Sequence, residues 1–183
     1  MKPLWDDEID ATGRKLMPPD GPVAWLGVFP AHSLPKRSQV LRACIERSHM
    51  SATDLQSFGA AFVVNTDLKG KEGDHWVAFF MPSPYHEAVS HGACFFDPLG
   101  RTPIENGHED WDQYLREWSQ EPYKYNASYI QASGTNGCGH LCLLWLFYIL
   151  GQVPFPYGCG MTNETVRSHF GNMFFRTGRA RWT

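Results

Sequence analysis

The segment CGHLCLLWLFYIL, residues 138 to 150, carries apolar side chains on almost every side of the helix that it would form. Gly151 follows directly, so the pattern predicts a helix that ends there. The segment is too short to span a bilayer. A helix that is apolar all round has no side for solvent, so it should run through the middle of a fold. The segment therefore predicts a globular domain built around one buried helix.

Shorter segments carry the patterns of strands and amphipathic helices. Apolar runs rich in β-branched and aromatic residues predict strands over 60–66, 76–81, 93–96 and 126–131. Apolar residues at helical spacing predict helices over 38–49, 110–119 and 164–175, while 3–16 is at most weakly helical. Consecutive strands with flanking helices are typical of the α+β class. We therefore expect a mixed central sheet packed by helices, in one domain covering residues 1–183.

The overall charge of the chain provides little attraction for nucleic acid. The chain has 16 Lys and Arg against 19 Asp and Glu, a formal net charge of −3. Positive charge gathers only near the end, at Arg167, Arg176, Arg179 and Arg181, where a solvated tail is the simpler interpretation. DNA binding is therefore only weakly supported.

The cysteines and the start of the chain predict a reducing environment. The first residues, MKPLWDDEID, are acidic and contain no apolar core, so we do not expect a signal peptide. The five cysteines are odd in number and irregularly spaced, which argues against a disulfide framework. We therefore expect reduced thiols in an intracellular setting.

Two polar residues flank a predicted β-hairpin. His75 stands just before the strand over 76–81, Asp97 stands just after the strand over 93–96, and the turn is expected near residue 86. In an antiparallel pair the start of one strand lies beside the end of the next, so His75 and Asp97 should be neighbours. A carboxylate that accepts a hydrogen bond from one imidazole nitrogen fixes the tautomer and leaves the other nitrogen to act as a base.

Cys138 begins the buried helix within a glycine-rich turn, NGCGH. A helix N-terminus and a nearby imidazolium both favour the thiolate, which can attack a carbonyl carbon. Gly137 and Gly139 leave the approach to the sulfur open. The backbone N–H of Cys138 belongs to the helix start and could point at a developing oxyanion. The side-chain amide of Gln131, which ends the preceding predicted strand, could supply a second donor.

Each of these residues also has a purely structural explanation. His75 could be a polar residue at a strand edge, and Gln131 could lie exposed in a loop. Asp97 precedes Pro98, and Asp-Pro commonly opens a turn. Cys138 could be a core thiol, because cores use cysteine as a small hydrophobe. We expect that role for Cys44, Cys94 and Cys142.

A zinc-stabilised binding module without enzymatic activity is an alternative function. Cys138, His140 and Cys142 are close enough in sequence to suggest zinc. Residues at positions i, i+2 and i+4 do not share one helical face, however, and the sequence offers no evident fourth ligand. We therefore expect no metal.

Four blocks, in order, resemble the adenovirus-type cysteine endopeptidases, the adenain family, whose fold and triad are shared with the ubiquitin-like-protein proteases. The first is VVNT at 63–66, followed by eight residues and then His75-Trp76, and the second is CFFDPLG at 94–100. The third is Gln131 seven residues before Cys138, and the fourth is CGHLC leading into the apolar helix. A fainter similarity extends upstream through WLGVFP, residues 25 to 30. One such block is weak evidence, whereas four in register are specific.

The resemblance implies a papain-like or ubiquitin-like-protease-type fold and a role for each matching residue. His75 would be the general base, Asp97 the acid that orients it, and Cys138 the nucleophile. Gln131 and the amide of Cys138 would form the oxyanion hole. Trp76 would pack beside the site, although it could equally be plain core. A catalytically inactive scaffold is disfavoured because every expected position is filled.

The resemblance also implies a substrate class and a location. The adenain family cleaves viral precursor proteins during particle maturation, generally after Gly in short apolar-Gly motifs. We therefore expect polypeptide substrates from a virus or a virus-like mobile element, and action in the virion and the host cell nucleus by a monomer. A protease for ubiquitin or a ubiquitin-like modifier is the alternative within the same fold, because those conjugates also end in Gly-Gly.

The chain departs from the family pattern at three points. Asp97 stands where adenain usually has Glu, so the backbone must lie closer to the imidazole for the shorter side chain to reach it. The best-known members are basic and use DNA and a disulfide-linked viral peptide as activators, whereas this chain is mildly acidic and has Gln120 in place of the linking cysteine. The segment after the nucleophile is also shorter. We therefore expect chemistry that requires no cofactor, and an activating peptide or DNA is only weakly supported.

Overall fold

The computed structural model describes residues 3–48, 58–66, 75–84, 92–119, 122–151 and 158–176. The helices, in chain order, are α1 (Asp6–Leu16), α2 (Arg37–Ser48), α3 (Glu109–Trp118), α4 (Cys138–Leu150) and α5 (Asn163–Arg176). The strands are β1 (Val23–Pro30), β2 (Gly59–Asn65), β3 (Trp76–Pro82), β4 (Cys94–Phe96) and β5 (Lys124–Tyr125).

The strands form one mixed sheet in the order β1-β2-β3-β4-β5. The inner pairs β2–β3 and β3–β4 are antiparallel, and the outer pairs β1–β2 and β4–β5 are parallel. The expected α+β class with a mixed central sheet is therefore confirmed. The two strands around the predicted hairpin pair as expected, with Ala78 opposite Phe96. The turn expected near residue 86 lies outside the described residues.

Helices cover both faces of the sheet. On one face, Ile9 of α1, Leu141 of α4 and Val166 of α5 belong to a single apolar core. On the other face, Val40 of α2 and Trp111 of α3 belong to a second core. Alternate residues of β2 and β3 enter opposite cores, and every residue of β3 is buried. Burial on both faces explains why these strands are continuous apolar runs rather than alternating ones.

The helix predicted from its all-round apolar pattern is α4, which packs across β3. Residues 138–144 are all buried, whereas residues 147–150 are partly exposed. The first half of α4 therefore runs through the interior as expected, and its end lies closer to the surface. No helix in the described ranges combines the length and the apolar composition that a membrane span requires.

Residues 3–16 contain more helix than their weak pattern predicts, and 126–131 contain less strand. The helix α1 has Asp6, Asp7 and Glu8 in its first turn and Arg14 and Lys15 in its last turn, an arrangement that complements the helix dipole. The strand predicted over 126–131 is wrong: β5 covers only Lys124–Tyr125, and Gln131 forms an isolated bridge with Met161.

The strand β1 was not evident from its sequence, because Gly27 and Pro30 interrupt the apolar run. Gly27 has a φ of 112°, at the point where the register of β1 against β2 shifts. A glycine tolerates that backbone conformation and lets the strand continue after the bulge.

Candidate active site

His75 and Asp97 meet at one end of the sheet. His75 precedes β3, Asp97 follows β4, and Nε2 of His75 lies 2.6 Å from Oδ1 of Asp97. Asp97 is fully buried and His75 is 9% exposed, so solvent screens their interaction little. The structure therefore brings together the two polar residues that flank the hairpin strands.

The carboxylate of Asp97 has donors at both oxygens. Besides the imidazole, Oδ1 accepts a hydrogen bond of 2.7 Å from the backbone N–H of Leu99, and Oδ2 accepts one of 2.8 Å from Nδ2 of Asn106. Burial alone would raise the pKa of Asp97, but these hydrogen bonds and the charge of His75 lower it below its ordinary value. Asp97 is therefore ionised at neutral pH.

Cys138 is the first residue of α4, and its side chain hydrogen-bonds to the ring of His75. Nε2 serves Asp97, so Nδ1 is the ring nitrogen that faces the sulfur. Burial alone would lower the pKa of His75, but the hydrogen bonds and charges of Asp97 and Cys138 raise it from 6.5 to about 9. The imidazole is therefore protonated at neutral pH, and it lies between two acidic partners.

Three other cysteines behave as core thiols. Burial raises the pKa of Cys44 to about 12 and that of Cys94 to about 11, and it raises the pKa of Cys142 well above its ordinary value. The thiol of Cys142 donates to the backbone carbonyl of Trp76 at 3.3 Å. The remaining cysteine, Cys159, is exposed. None of the five cysteines, all of which lie in described segments, forms a disulfide.

Gln131 is buried in the loop that leads to Cys138. Its Nε2 donates to the carbonyl of Thr135 at 2.6 Å, and an amide nitrogen carries two N–H bonds, so a second one can serve another acceptor. A carbonyl can only accept hydrogen bonds, so the side-chain amide of Gln131 must turn its nitrogen, rather than its oxygen, toward Thr135. Oε1 of Gln131 has no hydrogen-bond partner among the described residues, and nothing there accounts for it.

Trp76 packs against the first turn of α4 and belongs to the core on that face. A Cβ atom added to Gly139 would lie 3.4 Å from Cδ1 of Trp76 and 3.0 Å from Cδ1 of Ile9. The turn that follows Cys138 is therefore enclosed between β3 and α1.

Neither a protein-family model nor a curated protein matches the sequence of this chain. Among solved structures, the fold is similar to that of the ASFV pS273R protease, with a TM-score of 0.54 at 19% identity. That similarity covers 99% of this chain and 69% of the protease. The chain therefore shares the fold of that protease, which is of the ubiquitin-like-protease type.

A weaker similarity connects the same fold to the central domain of the uncharacterized Lpg1148 protein from Legionella pneumophila. Its TM-score is 0.45 at 16% identity, over 96% of this chain and 92% of that domain. Membership of the adenain family specifically stays a prediction.

Within this fold, two asparagines that no sequence pattern singled out contact Asp97. Asn106 bonds the carboxylate, and Asn126 bonds the backbone N–H and carbonyl of the same residue. Asn106 follows a reciprocal turn in which Thr102 and Glu105 bond each other's backbone and side chain. The pattern T-x-x-E is a sequence signal for such a turn. Asn126 has no comparable local signal.

The zinc alternative has no geometric support in the described part of the chain. No group of three or more His, Cys, Asp or Glu residues is arranged there to hold a metal ion. His140 is buried instead, and burial lowers its pKa to about 4, against the opposing charge of Glu8. His140 is therefore a neutral core residue at pH 7, and it lies on the same helical turn as Cys138.

Proposed function

We propose that this protein is a cysteine endopeptidase in which Cys138 is the nucleophile. The observation that carries the proposal is a continuous contact from the side chain of Cys138, through the ring of His75, to the buried carboxylate of Asp97. The cysteine-protease fold supports the same conclusion. The three core cysteines lack such a partner set and carry raised pKa values, which makes them poor nucleophiles.

The proposed reaction has two covalent steps. The thiolate of Cys138 attacks the scissile carbonyl carbon, and the carbonyl oxygen becomes an oxyanion held by Nε2 of Gln131 and the backbone N–H of Cys138. As the C–N bond breaks, His75 donates its proton to the leaving amine, and a thioester remains. Water then attacks the thioester, gives a proton to His75, and releases the carboxylic acid and the thiolate. Asp97 orients the ring and stabilises its charge throughout.

We further propose that the substrates are precursor polypeptides of a DNA virus or a virus-like element, cleaved after Gly in Gly-Gly or Gly-X motifs in the virion and the host nucleus. A viral protease among the similar folds and the adenain-like sequence blocks support this proposal. The chemistry requires no cofactor in this scheme. Adding duplex DNA or candidate activating peptides to the assay tests whether either raises the rate.

Peptide turnover tests the proposed function. Wild type should hydrolyse Gly-Gly and Gly-X peptides, Cys138→Ala should show no turnover above background, and Cys159→Ala should behave as wild type. Cys159→Ala is the matched control because it removes an exposed thiol instead. Equal rates for wild type and Cys138→Ala would refute the endopeptidase proposal.

A protease for ubiquitin or a ubiquitin-like modifier is the second candidate, and the observation that favours it is the fold type itself. A ubiquitin vinyl sulfone probe separates the two functions, because it reacts only with a thiol whose site also binds ubiquitin. Labelling of wild type but not of Cys138→Ala would support the second candidate. Peptide turnover without labelling would support the first.

A further inference from the structure

The side chain of Asn126 makes the hydrogen bonds to the neighbouring chain that the backbone of a continuing strand would make. The parallel ladder between β4 and β5 pairs residues 94–95 with residues 124–125 and then stops. At the next position, Oδ1 of Asn126 accepts a hydrogen bond of 3.0 Å from the N–H of Asp97, and Nδ2 donates one of 2.6 Å to its carbonyl. A side-chain amide offers the same donor and acceptor as a peptide group, so it satisfies both backbone groups of a buried residue.

The segment over 126–131 continues along the turn that carries Asp97. The carbonyl of Pro98 accepts hydrogen bonds from the backbone N–H of Ile130 at 2.7 Å and of Gln131 at 2.9 Å. Gly100 has a φ of +70°, and a Cβ atom there would lie 2.5 Å from the carbonyl carbon of Ser128. The turn with the acid and the segment with Gln131 are therefore in direct backbone contact along their length.

We propose that Asn126 is a positioning residue that holds the backbone of Asp97 in register with the segment carrying Gln131. The inference rests on the proposed function and deepens it, because it joins the acid and the oxyanion donor through one side chain. Asp97 bonds His75 and the N–H of Leu99 through the same oxygen, so a displaced Asp97 backbone also displaces the imidazole.

Kinetics of Asn126→Ala test the positioning role. The expected result is a kcat lower by roughly 10-fold to 100-fold, because small misplacements of reacting groups are costly. KM should stay within about two-fold, since Asn126 does not contact the substrate in this scheme. Ser128→Ala is the matched control: it lies in the same segment, is exposed, and contributes only its backbone carbonyl to Asn126. It should retain the wild-type kcat.

A pH profile separates positioning from a general structural role. The pKa of His75 is about 9 because Asp97 and Cys138 face the ring. The other titratable groups that act on Asp97 are Cys142 of α4 and Glu105 of the loop before α3. The rate of alkylation of Cys138 by iodoacetamide, mapped by mass spectrometry, should change near pH 9 in wild type. In Asn126→Ala the change should move to lower pH, because a displaced carboxylate stabilises the imidazolium less.

A wild-type kcat together with an unchanged alkylation profile would overturn the inference. Should Asn126→Ala fail to fold, Asn126→Leu decides instead, since it keeps a side chain of similar size but can neither accept from the N–H of Asp97 nor donate to its carbonyl. Asn126→Leu should show the same two changes, and wild-type behaviour would overturn the positioning role. The alkylation profile needs no substrate, so it decides the role of Asn126 even if Cys138→Ala retains peptide turnover, which would refute only the proposed function.

Discussion

Nε2 of His75 lies 2.6 Å from Oδ1 of Asp97, although 22 residues separate the two in sequence. Their pKa values shift in opposite directions, that of His75 upward and that of Asp97 downward, because each charge stabilises the other in a buried setting. The pair is therefore a buried ion pair, and its imidazole also contacts the buried side chain of Cys138. Removing either charge should change the reactivity of the Cys138 thiol and the pH dependence of both the reaction rate and the stability of the fold.

Asp97→Asn keeps the shape of the acid and removes its charge. Without the carboxylate the pKa of His75 should fall toward 6.5, and kcat/KM at neutral pH should fall by roughly 100-fold, within the usual contribution of acid–base catalysis. Rates measured across pH should show the alkaline limb moving to lower pH. Asp110→Asn is the control, because Asp110 is exposed and lies 3.9 Å from His108, outside the site. An unchanged kcat/KM in Asp97→Asn would contradict the assigned role.

Gln131→Ala should lower kcat by roughly 100-fold, the usual effect of removing one oxyanion donor. The alkylation profile of Cys138 should keep its change near pH 9, because Gln131 is not among the groups that shift His75. Gln113→Ala, which removes an exposed glutamine from α3, serves as the control and should leave both measurements unchanged. A wild-type kcat in Gln131→Ala would show that the side chain of Gln131 does not donate to the oxyanion.

The two buried histidines should give the folded state a stability maximum near pH 6.5. His75 has a pKa raised from 6.5 to about 9, so its contribution is complete below pH 6.5 and is lost as the pH rises to about 9. His140 has a pKa lowered from 6.5 to about 4, so its contribution is complete above pH 6.5 and is lost as the pH falls to about 4. Urea unfolding between pH 4 and pH 9 measures both slopes.

Single replacements assign each slope to its histidine. His140→Gln should flatten the acid slope and leave the alkaline slope, whereas His75→Gln should flatten the alkaline slope. The buried thiols Cys44, Cys94 and Cys142 add a further loss only above pH 9, where the unfolded chain ionises them. An acid slope that survives His140→Gln would mean that another group binds the protons.

Gly100 and Gly134 form a matched pair, because their φ angles are +70° and +72°. Alanine at either position suffers similar backbone strain. A Cβ on Gly100 would face backbone atoms, with the carbonyl carbon of Ser128 at 2.5 Å, while no residue in the described ranges brings an atom within 4 Å of a Cβ on Gly134. Gly100→Ala should therefore destabilise the protein by about 1–3 kcal/mol more than Gly134→Ala. Thermal or urea unfolding measures the difference. Equal losses of stability in the two variants would show that the backbone near Ser128 moves away from Gly100 at little energetic cost.

Local pattern was sufficient for α4 and for the central hairpin strands. An all-round apolar helix can only be buried, and an antiparallel pair brings its flanking residues together, so His75, Asp97 and Cys138 could be singled out without coordinates. The strand β1 could not be recognised in this way, because its parallel partner β2 lies a helix away in sequence and its glycine bulge hides the pattern.

The sequence by itself determined the core elements and the candidate residues that flank them, because periodicity and strand pairing act over neighbouring positions. Only the tertiary structure decided what surrounds them. Asn126 directly follows β5 and bonds the backbone of Asp97 through its side chain, and α1 helps to enclose the turn that holds His140. These contacts join loops and helices that are distant in the chain, and the hydrogen-bond partner of a loop residue leaves no periodic trace in the sequence.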